Sequence, residues 1–321
     1  MNILITGGTG SLGKALAWHL LDNNYAEKVV IYSRDEDKHK RMAREFDDKR
    51  LRFLIGDVRD RYRLTRAMTG IDYCFHCAAL KDVPTGEYNP DEFKKTNVDG
   101  AQNVIDAAGQ MKIKKVIAIS TDKAVEALNA YGKSKAFADS LFINANALYP
   151  ETIFSLVRYG NVAGSRGSVI PVFGKILEEG DKDTLLPITD RRMTRFWISM
   201  GEAVELCMVC LEHMKGGEIF VAQMPSFKVT DLACAMVERN YKPWVETGIR
   251  MGEKLDEVVI TKYDDCYECE LKGKKYYIIY PPKFWRIYKR WGRKVDDFRY
   301  ASDNNEVWLA QEEIKEKLKW V

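Results

Sequence analysis

Asn2-Ile-Leu-Ile-Thr-Gly-Gly-Thr-Gly-Ser-Leu-Gly13 reads as a short apolar strand running into a glycine-rich turn, and the alanine- and leucine-rich stretch to about Asn23 reads as a helix. Gly8, Gly10 and Gly13 satisfy the G-x-G-x-x-G spacing, while Gly7, Gly10 and Gly13 give a tighter version of it. Glycines at this spacing let the backbone approach a pyrophosphate held at a helix N-terminus, and the strand before and helix after are the context that the pattern requires. Gly7, Thr9, Gly10, Ser11, Leu12 and Gly13 are the expected phosphate contacts.

Outward from this loop, strands and helices alternate. Lys28–Ser33, Arg52–Val58, Asp72–Ala79 and Lys115–Ser120 read as strands, with helices between them over a charged segment to Asp48, over Asn89–Gln110 and over Tyr131–Leu148. This is the βαβ rhythm of an α/β protein with a doubly wound parallel sheet. After Phe154–Gly160 the rhythm weakens, so residues 1–160 are expected to form the dinucleotide unit, with 190–225 returning to it through Glu218–Ala222. Residues 161–321 are then mainly a smaller substrate-binding lobe and a C-terminal extension.

In such folds an acid at the end of the second strand takes the adenosine ribose hydroxyls. Here Ser33-Arg34 stands there, and a hydroxyl beside a guanidinium suits a 2′-phosphate, which predicts NADP; Asp35 and Glu36 follow immediately and leave NAD open. Asp57 and Val58 close the third strand where the adenine would lie. Ala79 leaves room over a cofactor, and Lys81 is available to a ribose or phosphate.

Ser120-Thr-Asp-Lys-Ala-Val-Glu-Ala-Leu-Asn-Ala-Tyr-Gly-Lys-Ser-Lys135 carries the chemistry. Tyr131 and Lys135 are spaced to share one helix face. An ammonium beside the phenol is expected to lower the tyrosine pKa and make a base for a sugar hydroxyl. Asp122 and Lys123 sit at the carboxyl end of a strand, where open parallel sheets place ligands, and offer an acid and a second base.

The 321 residues are 46% hydrophobic, enough for a large core, and 50 basic against 47 acidic residues give a formal charge of +3. That balance argues against nucleic acid or a membrane surface as partner. With no signal peptide and no apolar run long enough to span a bilayer, a cytoplasmic location is expected. Three Cys-x-x-Cys pairs invite a metal reading. Cys74/Cys77 fall in a strand and Cys207/Cys210 in an apolar helix, leaving Cys266/Cys269 as the one pair with room to be exposed; no metal is predicted. Arg191, Arg192 and Arg195 beside aromatics, with Arg250 in a later glycine loop, can clamp a diphosphate. Phe284–Trp291 is basic and aromatic but reads as ordinary surface.

Thr6–Gly13, Gly56-Asp-Val58, Ala78-Ala79 and Tyr131–Lys135 together resemble the extended short-chain dehydrogenase/reductase superfamily. Ser33–Glu36, Ala79–Pro84, Ser120–Ala124, Arg158–Val162, Gly164–Val169, Arg192–Trp197, Gly248–Lys254 and Ser302–Asn305 resemble more closely the UDP-N-acetylglucosamine 4,6-dehydratases that invert carbon 5 and open the route to pseudaminic acid. Asp82 stands where that family has histidine or glutamine, and Ala127-Leu128 where it has proline. The Asp122-Lys123 pair replaces the Asp-Glu of dehydratases acting on UDP-glucose or dTDP-glucose.

The resemblance implies a homo-oligomeric enzyme using NADP and UDP-N-acetylglucosamine. By it, Tyr131 takes the carbon 4 hydroxyl proton, Lys135 holds the nicotinamide ribose and keeps the tyrosine acidic, and Lys123 removes the carbon 5 proton. Asp122 protonates the leaving carbon 6 hydroxyl, Thr121 bonds the carbon 4 oxygen, and Ser120, Asn161, Arg192, Arg195 and Arg250 hold the substrate. A base role requires Lys123 to be neutral part of the time, so its pKa is expected to be lowered. A 4- or 5-epimerase of the same superfamily, or a non-catalytic NADP-sensing regulator, are the competing readings.

Overall fold

The structure is a computed structural model in which residues 1–181, 183–237, 241–281 and 290–320 are described. Its first half alternates strictly: β1 (Asn2–Thr6), α1 (Ser11–Asp22), β2 (Lys28–Ser33), α2 (Glu36–Phe46), β3 (Leu51–Ile55), α3 (Arg61–Ala67), β4 (Tyr73–His76), α4 (Val83–Tyr88), α5 (Pro90–Phe93), α6 (Gly100–Gln110), β5 (Lys115–Ile119), α7 (Ala130–Leu148) and β6 (Ile153–Arg158). The expected helix over Asn89–Gln110 is α5 and α6 joined by a π-helical turn, Lys94–Asp99. The second half contributes β7 (Asn161–Val162), α8 (Val169–Glu179), β8 (Leu186–Ile188), β9 (Thr194–Ile198), α9 (Met200–His213), β10 (Ile219–Ala222), β11 (Ser226–Lys228), α10 (Val229–Met236), β12 (Trp244–Glu246), β13 (Val258–Ile260), β14 (Asp265–Leu271), β15 (Lys274–Tyr280), β16 (Arg293–Val295), β17 (Tyr300–Ala301) and α11 (Gln311–Leu318).

The main sheet has ten strands in the order β16-β14-β15-β10-β6-β5-β4-β1-β2-β3. From β10 to β3 every pairing is parallel, and the order reverses between β1 and β4, so the expected doubly wound sheet is the one observed. Its strands are near-continuous apolar runs because helices cover both faces. Ile3, Leu4, Ile5, Val116, Ile117, Phe154 and Leu156 are almost wholly removed from water. Crossover connections put the carboxyl ends of β1, β4, β5 and β6 on one edge, and the crevice outside that edge is where ligands of such sheets bind.

Beyond β10 the sheet turns antiparallel through β15, β14 and β16, so the C-terminal third adds strands to it. Cys266 and Cys269, the pair that the sequence left open to exposure, are not exposed. Both lie on β14 between two neighbouring strands and are buried, with burial pushing each thiol up to about 12. Among the described residues every cysteine is free and no group of three or more His, Cys, Asp or Glu is placed to hold a metal. No described helix is long and apolar enough to cross a membrane. Of the basic aromatic run 284–291, residues 284–289 lie outside the described residues.

Candidate active site

A cavity of about 1160 Å³ follows the carboxyl edge of the sheet, from the glycine loop to the second-half loops. Pockets for single drug-sized ligands run to about 1,000 Å³, and this one exceeds that. Gly7, Thr9, Gly10, Ser11 and Leu12 line one end together with Ser33, Arg34, Asp57, Val58 and Ala79, while Lys81 lines the stretch nearer Lys123. Thr121, Asp122, Lys123, Tyr131, Lys135, Ser120, Asn161, Arg195 and Arg250 line the remainder.

The glycine loop is fitted to a close-lying anion. Gly7 has φ +65°, and a Cβ there would stand 2.8 Å from the Ala78 backbone. A Cβ on Gly13 would stand 2.5 Å from the Gly8 Cα, so the loop is drawn flat against the first turn of α1 and Gly13 lies beneath the loop rather than on the cavity wall. At the adenosine end, Ser33 Oγ is 2.6 Å from His39 Nε2 and 3.1 Å from Thr9 Oγ1. Arg34 reaches Asp57 only at 3.7 Å and is 55% exposed, whereas Arg59 holds Asp57 at 2.8 Å. The Arg34 guanidinium is therefore loosely held and able to turn to a ligand. Lys38, which the sequence did not single out, also lines this end. These residues fit a dinucleotide.

At the other end, Asn97 fastens the wall beside the tyrosine. Its amide exchanges two 2.8 Å hydrogen bonds with the Leu80 backbone and donates to Ser134 Oγ of α7 at 2.9 Å. Helix α7 starts at Asn129, whose side chain accepts from the Gly132 amide at 2.7 Å and donates to the Gly252 carbonyl at 2.8 Å. One residue thus caps the helix that carries Tyr131 and Lys135 and anchors the loop that carries Arg250.

The Asp-Lys pair lies in a helical turn, Asp122–Ala124, at the end of β5. Thr121 Oγ1 donates to Asp122 Oδ1 at 2.8 Å, and Lys123 Nζ donates to the two Asp122 oxygens at 3.1 and 3.3 Å. A second carboxylate reaches the ammonium: Glu257 Oε1 is 3.2 Å from Lys123 Nζ. Glu257 is 2% exposed, lies 3.8 Å from Arg195 Nε and 4.0 Å from Lys254 Nζ, and is held by a mutual backbone and hydroxyl exchange with Ser302. Sequence reasoning missed Glu257. Its only signals were the Gly248–Lys254 and Ser302–Asn305 stretches on either side of it in space.

Two expectations are overturned by these surroundings. Burial would lower the Lys123 pKa, but Asp122 and Glu257 more than offset it, and the ammonium is held well above its ordinary value. Burial pushes Tyr131 up to about 12, although the Thr121 hydroxyl and the Lys123 charge pull the other way. Lys135, 4% exposed, is lowered by burial while Asp139, one turn further along α7, opposes that shift. Asp139 in turn accepts from Ser120 Oγ at 2.5 Å and pairs with Arg158 at 3.4 Å.

The arginines separate. Arg195 is 12% exposed and donates to the carbonyls of Thr194, Lys254 and Leu255, which aligns it along the floor. Arg250 lines the rim and pairs with Glu253. Arg192 is exposed, bound to Asp190 at 2.7 Å, and is not among the lining residues.

This arrangement has relatives. An inverting UDP-N-acetylglucosamine 4,6-dehydratase of Campylobacter jejuni is 48% identical, with 98% of this chain and 96% of that protein aligned. A UDP-glucose 4-epimerase of Rickettsia typhi is 40% identical over 98% of this chain and 94% of its own length. The crystal structure of Pen from Bacillus thuringiensis superposes with a TM-score of 0.90 at 35% identity, covering 99% of this chain and 96% of that one. Residues 3–281 match the family described as polysaccharide biosynthesis protein. With the glycine loop, the Tyr-Lys helix and the reversing parallel sheet all within that span, the chain belongs to this family.

Proposed function

We propose that the protein is a UDP-N-acetylglucosamine 4,6-dehydratase that inverts carbon 5, using NADP. The observation that carries this reading is the Asp122-Lys123 pair beside Tyr131: a 4-epimerase needs the tyrosine, whereas elimination of water across carbons 5 and 6 needs a further base and acid at that place. The retained tyrosine and lysine likewise favour an enzyme over a cofactor-sensing regulator.

The nicotinamide, when bound, takes hydride from carbon 4 and returns it at carbon 6. Tyr131 accepts the carbon 4 hydroxyl proton, with Thr121 at the same oxygen. Ser120, hydrogen-bonded to Asp139, and Lys135, whose charge Asp139 favours, hold the sugar and the cofactor ribose in place. Lys123 removes the proton that the carbon 4 ketone has acidified at carbon 5, and Asp122 protonates the departing carbon 6 hydroxyl. Because the two carboxylates favour the ammonium, Lys123 must first pass a proton to Asp122, 3.1 Å away, so that the neutral amine is the base and the carboxylic acid is the donor. Asn161, Arg195 and Arg250 hold the uridine diphosphate from the wall, floor and rim, and Arg192 reaches it only by leaving Asp190.

Residues 1–160 with 190–225 serve the cofactor in this reading, and the rest of 161–321 mainly the sugar nucleotide. The enzyme works in the cytoplasm as a homo-oligomer on the way to a polysaccharide or pseudaminic acid building block.

Incubation of the purified protein with UDP-N-acetylglucosamine and NADP is expected to give a product lighter by one water. In deuterated water that product carries deuterium at carbon 5 in the L-arabino configuration. An early product with the D-xylo configuration by proton NMR removes the inversion, and an isomer of unchanged mass removes the dehydratase.

Cofactor choice has its own test. Arg34→Asp is expected to weaken NADP by about 10- to 100-fold, the value of one charge-assisted pair, and to reverse the preference over NAD. Equal selectivity of the two proteins in a binding titration refutes the assignment of Ser33-Arg34 to a 2′-phosphate.

A further inference from the structure

Glu257 belongs to no motif of the active-site turn, yet it closes the ring of charge around Lys123. It enters from the segment before β13, whose backbone is fixed by Ser302 and by pairing with β17. Its Oε1 stands 3.2 Å from Lys123 Nζ, with Asp122 Oδ1 at 3.1 Å from the same atom. The groups facing Lys123 are Asp122 on its own turn, Tyr131 on α7, Arg195 on β9, Lys254 and Glu257 before β13, and Lys81 after β4. Asp122 and Glu257 are the carboxylates within ion-pair distance of its ammonium among the described residues.

We infer that Glu257 is a positioning residue that clamps Lys123 in its ammonium form against Asp122 and thereby sets the pH at which elimination, but not oxidation, proceeds. The inference rests on the dehydratase reading for its catalytic consequence, while the clamp itself does not. The neutral Lys123 amine is the base and protonated Asp122 the acid, so the pair acts while it holds one proton between them, and elimination falls away as pH rises through the Lys123 midpoint. Removing a negative charge at this distance lowers a lysine pKa by about 1–3 units. Glu257 therefore extends elimination to higher pH and keeps the ammonium oriented; Arg195 and Lys254, which share the carboxylate, keep it in place when Lys123 is neutral.

The test compares wild type with Glu257→Asp, which retracts the carboxylate by one methylene, and Glu257→Gln, which removes its charge. In protein labelled with carbon-13 at lysine Cε, the signal lost in Lys123→Met identifies Lys123, and its titration midpoint is expected to fall from wild type to Glu257→Asp to Glu257→Gln. The high-pH limb of single-turnover elimination should move down in the same order by about one pH unit or more in the glutamine variant, while the limb for cofactor reduction does not move down with it, since loss of the Lys123 charge raises the Tyr131 pKa. Unmoved midpoints in the variants overturn the clamp, as does an equal shift in both steps, since a residue that only supports packing changes the height of both limbs and not the position of one. If Glu257→Gln does not fold, the downward shift in Glu257→Asp supports the clamp and its absence overturns it. If wild type removes no water from the sugar while the Lys123 midpoint still shifts, the dehydratase reading fails and the clamp stands.

Discussion

Tyr131→Phe is expected to retain cofactor and substrate binding and to lose oxidation at carbon 4 by about 10²- to 10⁴-fold, the usual contribution of a positioned acid/base group. The substitution keeps the ring, which packs edge-on against Phe93 with centroids 6.4 Å apart, so the fold of α7 has no reason to change. What is removed is the oxygen that takes the hydroxyl proton. Because burial holds this phenol near 12, the wild-type oxidation rate should rise with pH across the neutral range, as the proton-accepting form becomes more populated. The phenylalanine variant should lose that slope as well as the rate. Rapid mixing with UDP-N-acetylglucosamine, following absorbance of the reduced nicotinamide, checks both; normal reduction in the variant would remove Tyr131 from the reaction.

Lys123→Ala should behave differently in two respects. Oxidation continues, so reduced cofactor accumulates in a single turnover, but the carbon 5 proton is not removed and the reaction stalls at the 4-keto sugar, with dehydrated product down by about 10²- to 10⁴-fold. Variants of Tyr131 and Lys123 that behave alike would contradict the division of roles. Stability should suffer too. Lys123 is shared by Asp122 and Glu257, 1% and 2% exposed, and deleting it leaves Asp122 without its ion-pair partner. Breaking a buried pair from one side costs about 3–5 kcal/mol. Glu257 keeps Arg195 and Lys254 nearby, which places the loss toward the lower end. A clear fall in melting temperature for Lys123→Ala, beside an almost unchanged Tyr131→Phe, is the expected pattern; the reverse order would mean that the cluster contributes nothing to folding.

What the sequence determined by itself is what depends on near neighbours along the chain. The glycine turn between Thr6 and Ser11 and the strand-helix alternation through Arg158 were legible because spacing and apolar runs encode local backbone geometry. So was the sharing of one helix face by Tyr131 and Lys135, and the matches to family motifs were equally local. Protonation was not legible. The lowered Tyr131 pKa was expected from its helix neighbour Lys135 and the lowered Lys123 pKa from a base role, whereas burial governs the tyrosine, and a carboxylate from before β13 helps to govern the lysine. Cys266 and Cys269 were left open to exposure for a like reason, since acidic and aromatic neighbours along β14 say nothing of β15 and β16 on either side. Arg192 and Arg195 are indistinguishable by type and spacing, yet one is tied to Asp190 outside the cavity and the other lies along its floor. Coulomb energy and desolvation depend on distance in space and on access to water, and only the folded chain fixes those.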